Sequence, residues 1–176
     1  DKAAEYDEGR NLPAEELVSR LSPHLHFGEI SPATVWNRLA GQGSAVETYL
    51  KELVWRDYAQ NVIDQYPQYG GESYREKMRA LPWRDMDDDA VKTDFNAWCE
   101  GKTGYPIVDA GMRELWATGW MHNRVRMIAA SFLIKHLLID WREGEKWFWD
   151  TLVDADYASN SVNWQWVSGT GVDSNM

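Results

Sequence analysis

Apolar residues recur along this chain at intervals of three and four instead of alternating, which is the spacing of a helix face and not of a half-buried strand. The clearest case lies between Glu47 and Gln65, where Leu50, Leu53, Val54, Tyr58 and Val62 keep that spacing and Pro67 stands just beyond. A second apolar face covers residues 122–139, and shorter ones run from Pro106 to Gly119 and over residues 156–167. Ser31-Pro32 supplies an N-cap and a first-turn proline for another helix, with Gly41 closing it. Asp94 is read as the cap of a short helix ending at Gly101, and a further helix is read after Gly144. Residues 70–89 mix glycine, proline and acids and predict irregular connection, with at most one short helix near residues 74–80. The expected fold class is therefore all-α, a single domain over residues 1–176 without internal repeats.

Composition narrows this picture. A chain of 176 residues with 44% hydrophobic content can bury a real core. The lone Cys99 excludes a disulfide framework or a cysteine-rich metal centre and fits a reducing, cytoplasmic setting. His24, His26, His122 and His136 show no paired-ligand spacing, so no metal is expected. The longest apolar run is broken by Lys135 and His136, short of the roughly 18 residues of a membrane span. A net charge of −10 argues against indiscriminate nucleic-acid binding, which sets Lys and Arg against phosphates. Arg124, Arg126, Lys135 and Arg142 nevertheless share one acid-poor stretch and leave room for a local basic face. The eleven tryptophans are the most unusual feature, because an indole that is not simply core can stack on flat rings and pass single electrons.

Three constellations stand out. Glu52, Trp55 and Arg56 share one helix face, either as a site or as a solvated ion pair beside a core indole. Asp156, Asn160 and Trp164 recur every fourth residue, with Asp154 just before, and read either as a polar pocket wall or as a cap plus core. Asn123 and Met127 lie one turn apart, Arg124 and Arg126 facing elsewhere; a capping Asn and a packing Met are the ordinary alternative. Ser168-Gly169-Thr170-Gly171 forms neither a phosphate loop nor a nucleophile elbow, so any cofactor must be held by helices.

Taken in order, Tyr6-Asp7-x-x-Arg10-x-x-Pro13, Ser19-Arg20-Leu21-Ser22, Glu52-Leu53-Val54-Trp55-Arg56, the Gly101 to Asp109 segment, Gly119 to Met127 and Asp154 to Trp166 resemble the FAD domain of the photolyase/cryptochrome family. The resemblance spans nearly the whole chain and is nearest to photolyases acting on cyclobutane pyrimidine dimers. It implies a helical domain holding a bent FAD, its phosphates near Tyr6, Ser19, Arg20, Leu21 and Ser22. Its ring would lie near Asn123, Arg126, Asp154, Ala155, Asp156 and Asn160. Ser22-Pro23 also reads as a helix start, where amides and dipole favour a pyrophosphate.

In the implied mechanism the light-excited, reduced flavin lends one electron to the dimer, which splits and returns it; protein groups bind, orient and exclude competing reactions. Glu52, Asn123, Met127, Trp55 and Trp166 would line the hole for a flipped-out dimer in damaged DNA, with Arg10, Arg56 and Arg124 on its phosphates. Trp164, Trp141 and Trp98 match the family's relay of electrons from the surface to oxidised flavin.

The family's N-terminal antenna domain and the helical chain after a loop like residues 169–175 have no counterpart in this sequence, which therefore reads as a truncated domain; a monomer is expected. Ser161-Val162-Asn163 departs from the Asn-Gly-Gly-like turn of many photolyases. The competing expectations are a cryptochrome-type flavin photoreceptor without repair activity, disfavoured by the intact dimer-hole residues and by Asn160, and a plain helical interaction module whose tryptophans are all core.

Overall fold

The computed structural model describes residues 2–174, so Asn175 of the loop above lies outside the described residues. Its helices are α1 (Tyr6–Gly9), α2 (Ser22–His26), α3 (Pro32–Leu39), α4 (Glu47–Gln65), α5 (Asp89–Cys99), α6 (Pro106–Thr118), α7 (Asn123–Lys135), α8 (Trp141–Thr151) and α9 (Tyr157–Ser168). Short 3-10 turns at Lys2–Glu5, Ser44–Val46 and Glu76–Met78 complete the list, and no strand occurs among the described residues. The chain is all-helical, as its periodicity predicts.

Most boundaries follow local chemistry. Ser31 Oγ accepts the Thr34 amide at 3.1 Å and starts α3. Gly119 (φ 69°) and Gly169 (φ 77°) end α6 and α9 in the left-handed conformation that glycine adopts without strain.

Other boundaries differ from expectation. Helix α5 is capped by Asp88, whose carboxylate accepts the Ala90 amide at 2.8 Å; Asp94 lies inside the helix and pairs with Arg84 at 2.8 Å. Several acids precede this helix, and spacing alone does not say which one caps it. Helix α8 starts at Trp141 under an Asp140 cap and not after Gly144. Gly144 sits mid-helix because a Cβ there would come within 2.2 Å of the Trp164 ring. Helix α7 stops at Lys135, short of Ile139, since Leu138 takes φ 54° and the Ile139 amide turns back to the Leu133 carbonyl. Ser161, Val162 and Asn163 form no turn but lie within α9.

Two apolar clusters result. The larger joins α5 to α9 through Trp98, Leu115, Leu133, Trp141, Phe148 and Trp164; the smaller gathers Val35, Leu39, Val46 and Tyr49 beneath the N-terminal segments. Helix α9 packs against α4, α7 and α8 at once. Its fully buried Gln165 donates through Nε2 to the Tyr69 and Glu72 carbonyls, while Oε1 accepts the Tyr74 amide at 2.9 Å and the Thr170 hydroxyl at 3.2 Å. One carboxamide thus ties the segment after α4 and the segment after α9 to the central helix, with its polar atoms satisfied.

The Gly144 contact yields a stability prediction. Gly144→Ala should cost about 2 kcal/mol, because a rigid indole and Leu133, whose Cδ2 lies 2.6 Å from that Cβ position, must both move. The midpoint of urea unfolding measures it, and an unchanged midpoint would refute the close packing of α8 on α9.

Candidate functional site

Between α4, α7, α9 and the segment around residues 18–26 lies a cavity of about 820 Å³, within the range of cofactor sites. Every residue that the sequence singled out for cofactor or DNA contact lines it, as does Trp164; Trp98 and Trp141 do not.

The most buried charge in the wall is Asp154, its side chain 3% exposed, in the connection between α8 and α9. Arg126 of α7 meets it with both guanidinium branches, Nη1 to Oδ1 at 3.1 Å and Nη2 to Oδ2 at 2.9 Å, and Nε donates to the Met121 carbonyl at 2.8 Å. The paired fork neutralises the carboxylate and fixes it at the wall. Next to it, Asp156 caps α9 by accepting the Ser159 amide at 2.8 Å and receives the Gln60 amide at 3.3 Å. One turn on, Asn160 donates to the Glu145 carbonyl at 3.0 Å, and the Ser161 hydroxyl donates to the Glu145 carboxyl at 2.8 Å. Burial pushes the pKa of that carboxyl up.

At the other end, the Tyr49 hydroxyl donates to Ser19 Oγ at 2.9 Å, and Tyr6 packs edge-on against Tyr49 with ring centroids 5.0 Å apart. Burial is the main cause that pushes the Tyr6 hydroxyl up to about 12, so it stays a neutral donor. Arg20 takes φ 52° and lays its guanidinium over Trp120 at 4.3 Å. Helix α2 is one short turn with Pro23 in its first turn, so it offers little dipole and lacks one amide. The helix start expected at Ser22-Pro23 is present, and because its dipole is small, an anion here would also depend on the neighbouring hydroxyls.

The mouth differs from expectation in its pairings. Glu52 binds Arg10 at 2.5 Å and not Arg56, whose guanidinium reaches the Leu25 carbonyl at 3.4 Å. Arg124 donates to Asn11 Oδ1 at 2.8 Å, Arg126 is consumed by Asp154, and Arg142 by Asp140 at 2.5 Å. Of the acid-poor stretch, Arg126 and Arg142 are thus paired with carboxylates, whereas Arg124 and Lys135 border one depression together. Trp55 and Trp166, 57% and 44% exposed, both border the cavity, whereas the similarly exposed Trp36, Trp116 and Trp149 do not.

Asn123 does not cap α7; His122 does, its Nδ1 accepting the Arg124 amide at 3.2 Å. His122 is buried outside the cavity lining. Trp98 and Trp141 are both fully buried, so Trp98 cannot be the surface end of a relay. Trp98 lies edge-on to Trp164 at 6.3 Å. Sequence reading passed over the half-buried Trp83, which packs on the same cluster; its neighbour Arg84 donates to the Leu137 and Leu138 carbonyls, just before Trp141. Its position in the irregular stretch hid it.

A family model described as the FAD binding domain of DNA photolyase matches residues 49–176. The chain belongs to this family. It is 54% identical to a deoxyribodipyrimidine photo-lyase of Agrobacterium fabrum over 96% of its length, covering 35% of that protein. It is 45% identical to Cryptochrome-1 of Sinapis alba over 87% of its length, covering 32% of that protein. Among solved structures, a bacterial class III photolyase from Agrobacterium tumefaciens matches with a TM-score of 0.93 at 52% identity, over 99% of this chain and 36% of that one. The chain thus spans about a third of the length of the photolyases it matches.

FAD is the cofactor that goes with this photolyase domain, and the donor set fits it. The Arg126-locked Asp154 and the Asn160 amide present a polar edge for a flavin ring, and Ser19, Ser22 and Tyr6 present neutral donors where a pyrophosphate would lie.

His122 gives the fold a pH dependence. Burial, then the charges of Arg124, Arg126 and Arg20, hold its pKa below the ordinary 6.5. The unfolded chain takes up a proton near 6.5 while the folded one resists, so stability should fall as pH drops below about 6.5. Thermal melts across that range should show the loss, and His122→Asn, which keeps a cap acceptor, should flatten it. Equal slopes for parent and variant would show that another group is responsible.

Proposed function

We propose that this chain is the flavin-holding, lesion-binding part of a light-driven deoxyribodipyrimidine photo-lyase that splits cyclobutane pyrimidine dimers in damaged DNA. One observation carries the reading: a single cavity joins the polar wall of Asp154 and Asn160 to a mouth flanked by the two exposed indoles Trp55 and Trp166. A flavin seat and a hole for flat, unpaired bases would then be contiguous, as electron transfer between them requires.

When bound, reduced FAD supplies the photoexcited electron. The chain's residues do the rest. Asp154 and Asn160 orient the ring and keep water from its edge. Trp55 and Trp166 sandwich the flipped-out dimer, and Glu52, held by Arg10, accepts from its base edge. Arg124 and Arg56 meet the flanking phosphates. Asn123 and Met127 bring no titrating group to the hole, and His122 is engaged as a helix cap. No proton donor stands at Asn123 or Met127, and the histidine of the lining, His26, sits beside Asp156 at 3.9 Å, which favours the cyclobutane dimer. Similarity to cryptochromes is the support for a signalling role, and the dimer-hole residues favour repair over it.

Trp164 borders the cavity and Trp141 lies in the same buried cluster, so a relay for photoreduction would run through them and reach solvent at the half-buried Trp83 instead of Trp98.

The decisive experiment illuminates the natural polypeptide carrying this sequence, flavin reduced, with oligonucleotides bearing one lesion each. Cyclobutane dimers should be split and (6-4) photoproducts left intact; absence of dimer splitting would overturn the proposal. Asp154→Ala should purify with little flavin absorbance, since Arg126 is left buried without its partner; a fully yellow variant would remove Asp154 from the ring site. Trp141→Phe and Trp83→Phe should each slow photoreduction of oxidised flavin yet spare repair by pre-reduced protein. A normal rate in Trp83→Phe would place the exit elsewhere.

A further inference from the structure

Beside the cavity, and sharing Arg124, Met127 and Trp166 with it, lies a depression of about 580 Å³ between the start of α6, one face of α7 and the end of α9. A row of rings runs along it. Tyr105, the residue before α6, meets Phe132 with centroids 4.7 Å apart and planes at 53°, and Phe132 in turn stacks on His136 at 5.5 Å and 30°. Phe132 is buried, whereas Tyr105 is 58% exposed and His136 is open to solvent.

The charge of this depression is at odds with the rest of the molecule. The chain carries a net charge of −10, yet among the described residues no Asp or Glu borders the depression, whereas Arg124, Lys135 and His136 do. The exposed Lys51, Lys92, Lys102 and Lys146 each pair with a carboxylate, but Lys135 pairs with none among the described residues. Lys135 stands in the last turn of α7, where positive charge complements the free carbonyls of a helix end, and that accounts for a lysine there. It does not account for an exposed tyrosine in the same depression, nor for the continuity with the cavity mouth. Flat rings beside unpaired cations, with no carboxylate near, are the combination that holds single-stranded nucleic acid: bases stack on the rings and the backbone follows the positive charge.

We propose that this depression is a second subsite of the same binding surface, which takes an unpaired nucleotide of the damaged strand adjoining the flipped-out dimer, its base on Tyr105 and its phosphate at Lys135. The proposal rests on the reading of the cavity given above. Arg124 and Trp166 belong to both linings, so a strand that leaves the hole past them enters the depression directly. Stacking on a ring accepts any base, so the subsite adds affinity without adding sequence preference.

The test compares binding, by titration calorimetry on the natural polypeptide carrying this sequence, of a bare cyclobutane-dimer dinucleotide and of a short single strand with the same dimer in its middle. The parent should bind the strand more tightly. Tyr105→Ala should weaken strand binding about tenfold, the worth of one stacked base. Lys135→Gln should lower the slope of log affinity against log salt by about 0.7, the share of one phosphate contact on a single strand. Neither change should alter binding of the dinucleotide, which reaches only the hole. Should Tyr105→Ala melt below the parent, Lys135→Gln carries the test, because its side chain is exposed. Equal losses on strand and dinucleotide would mean that the variants disturb the hole, and variants that bind the strand as the parent does would mean that another part of the natural polypeptide covers the depression; either result overturns the inference. So does a loss seen only after a complementary strand is annealed, which assigns the depression to the opposite strand. A parent that does not prefer the dimer dinucleotide to its undamaged counterpart overturns the reading of the cavity. One that prefers it but gains nothing from the flanking nucleotides overturns the inference alone.

Discussion

The buried pair of Arg126 and Asp154 is the constraint around which the site is arranged. A carboxylate with 3% of its side chain exposed survives as a charge only if a cation meets it with good geometry, and the two-branched contact does so. It binds α7 to the connection between α8 and α9, and Arg126 Nε secures the Met121 carbonyl at the entry of α7 as well. The His122 cap, Asn123, Met127 and Asp156 all take their places relative to that fixed point. Such a pair adds little net stability, but breaking it leaves an isolated charge in the interior, so it selects one arrangement of the helices over its competitors.

The second determinant is how closely α8 and α9 approach. Gly144 lets the Trp164 ring lie against the α8 backbone, and Asn160 and Ser161 both bond to Glu145 along the same seam. The cavity is thus walled by helices that cannot slide, whereas its mouth is made from side chains whose pairings are interchangeable. Glu52 has taken Arg10 in place of the Arg56 beside it on α4, because the turn carrying Arg10 delivers a guanidinium to the mouth while Arg56 faces Leu25.

The helices were legible in the sequence where a periodic apolar face coincided with a stop signal, Pro67 after α4 and Gly119 after α6, and much less so where several caps competed, as among the acids before α5. Periodicity overran α7, because apolarity persists through the turn at Leu138 and only a backbone angle ends the helix. Gly144 read as a boundary because glycine breaks helices in isolation; its use as a slot for Trp164 depends on a residue twenty positions away. The cavity wall was readable since its residues sit at helical spacing, on one face, in family motifs. The depth of each tryptophan was not, because burial is a property of packing: Trp98 and Trp83 look alike in sequence, yet the first is sealed and the second reaches the edge of the core.

Gln165 has a consequence for how the molecule responds to ionic strength. The segments on either side of α9 are anchored to it by an uncharged carboxamide inside a dry interior, where dissolved ions do not penetrate. The contacts at the mouth, by contrast, are ion pairs and guanidinium bonds open to solvent, such as Arg10 with Glu52 and Arg124 with Asn11. Added salt therefore screens what the mouth can attract while leaving the internal stitching untouched, so that the architecture and its grip on a polyanion are separately adjustable by the same variable.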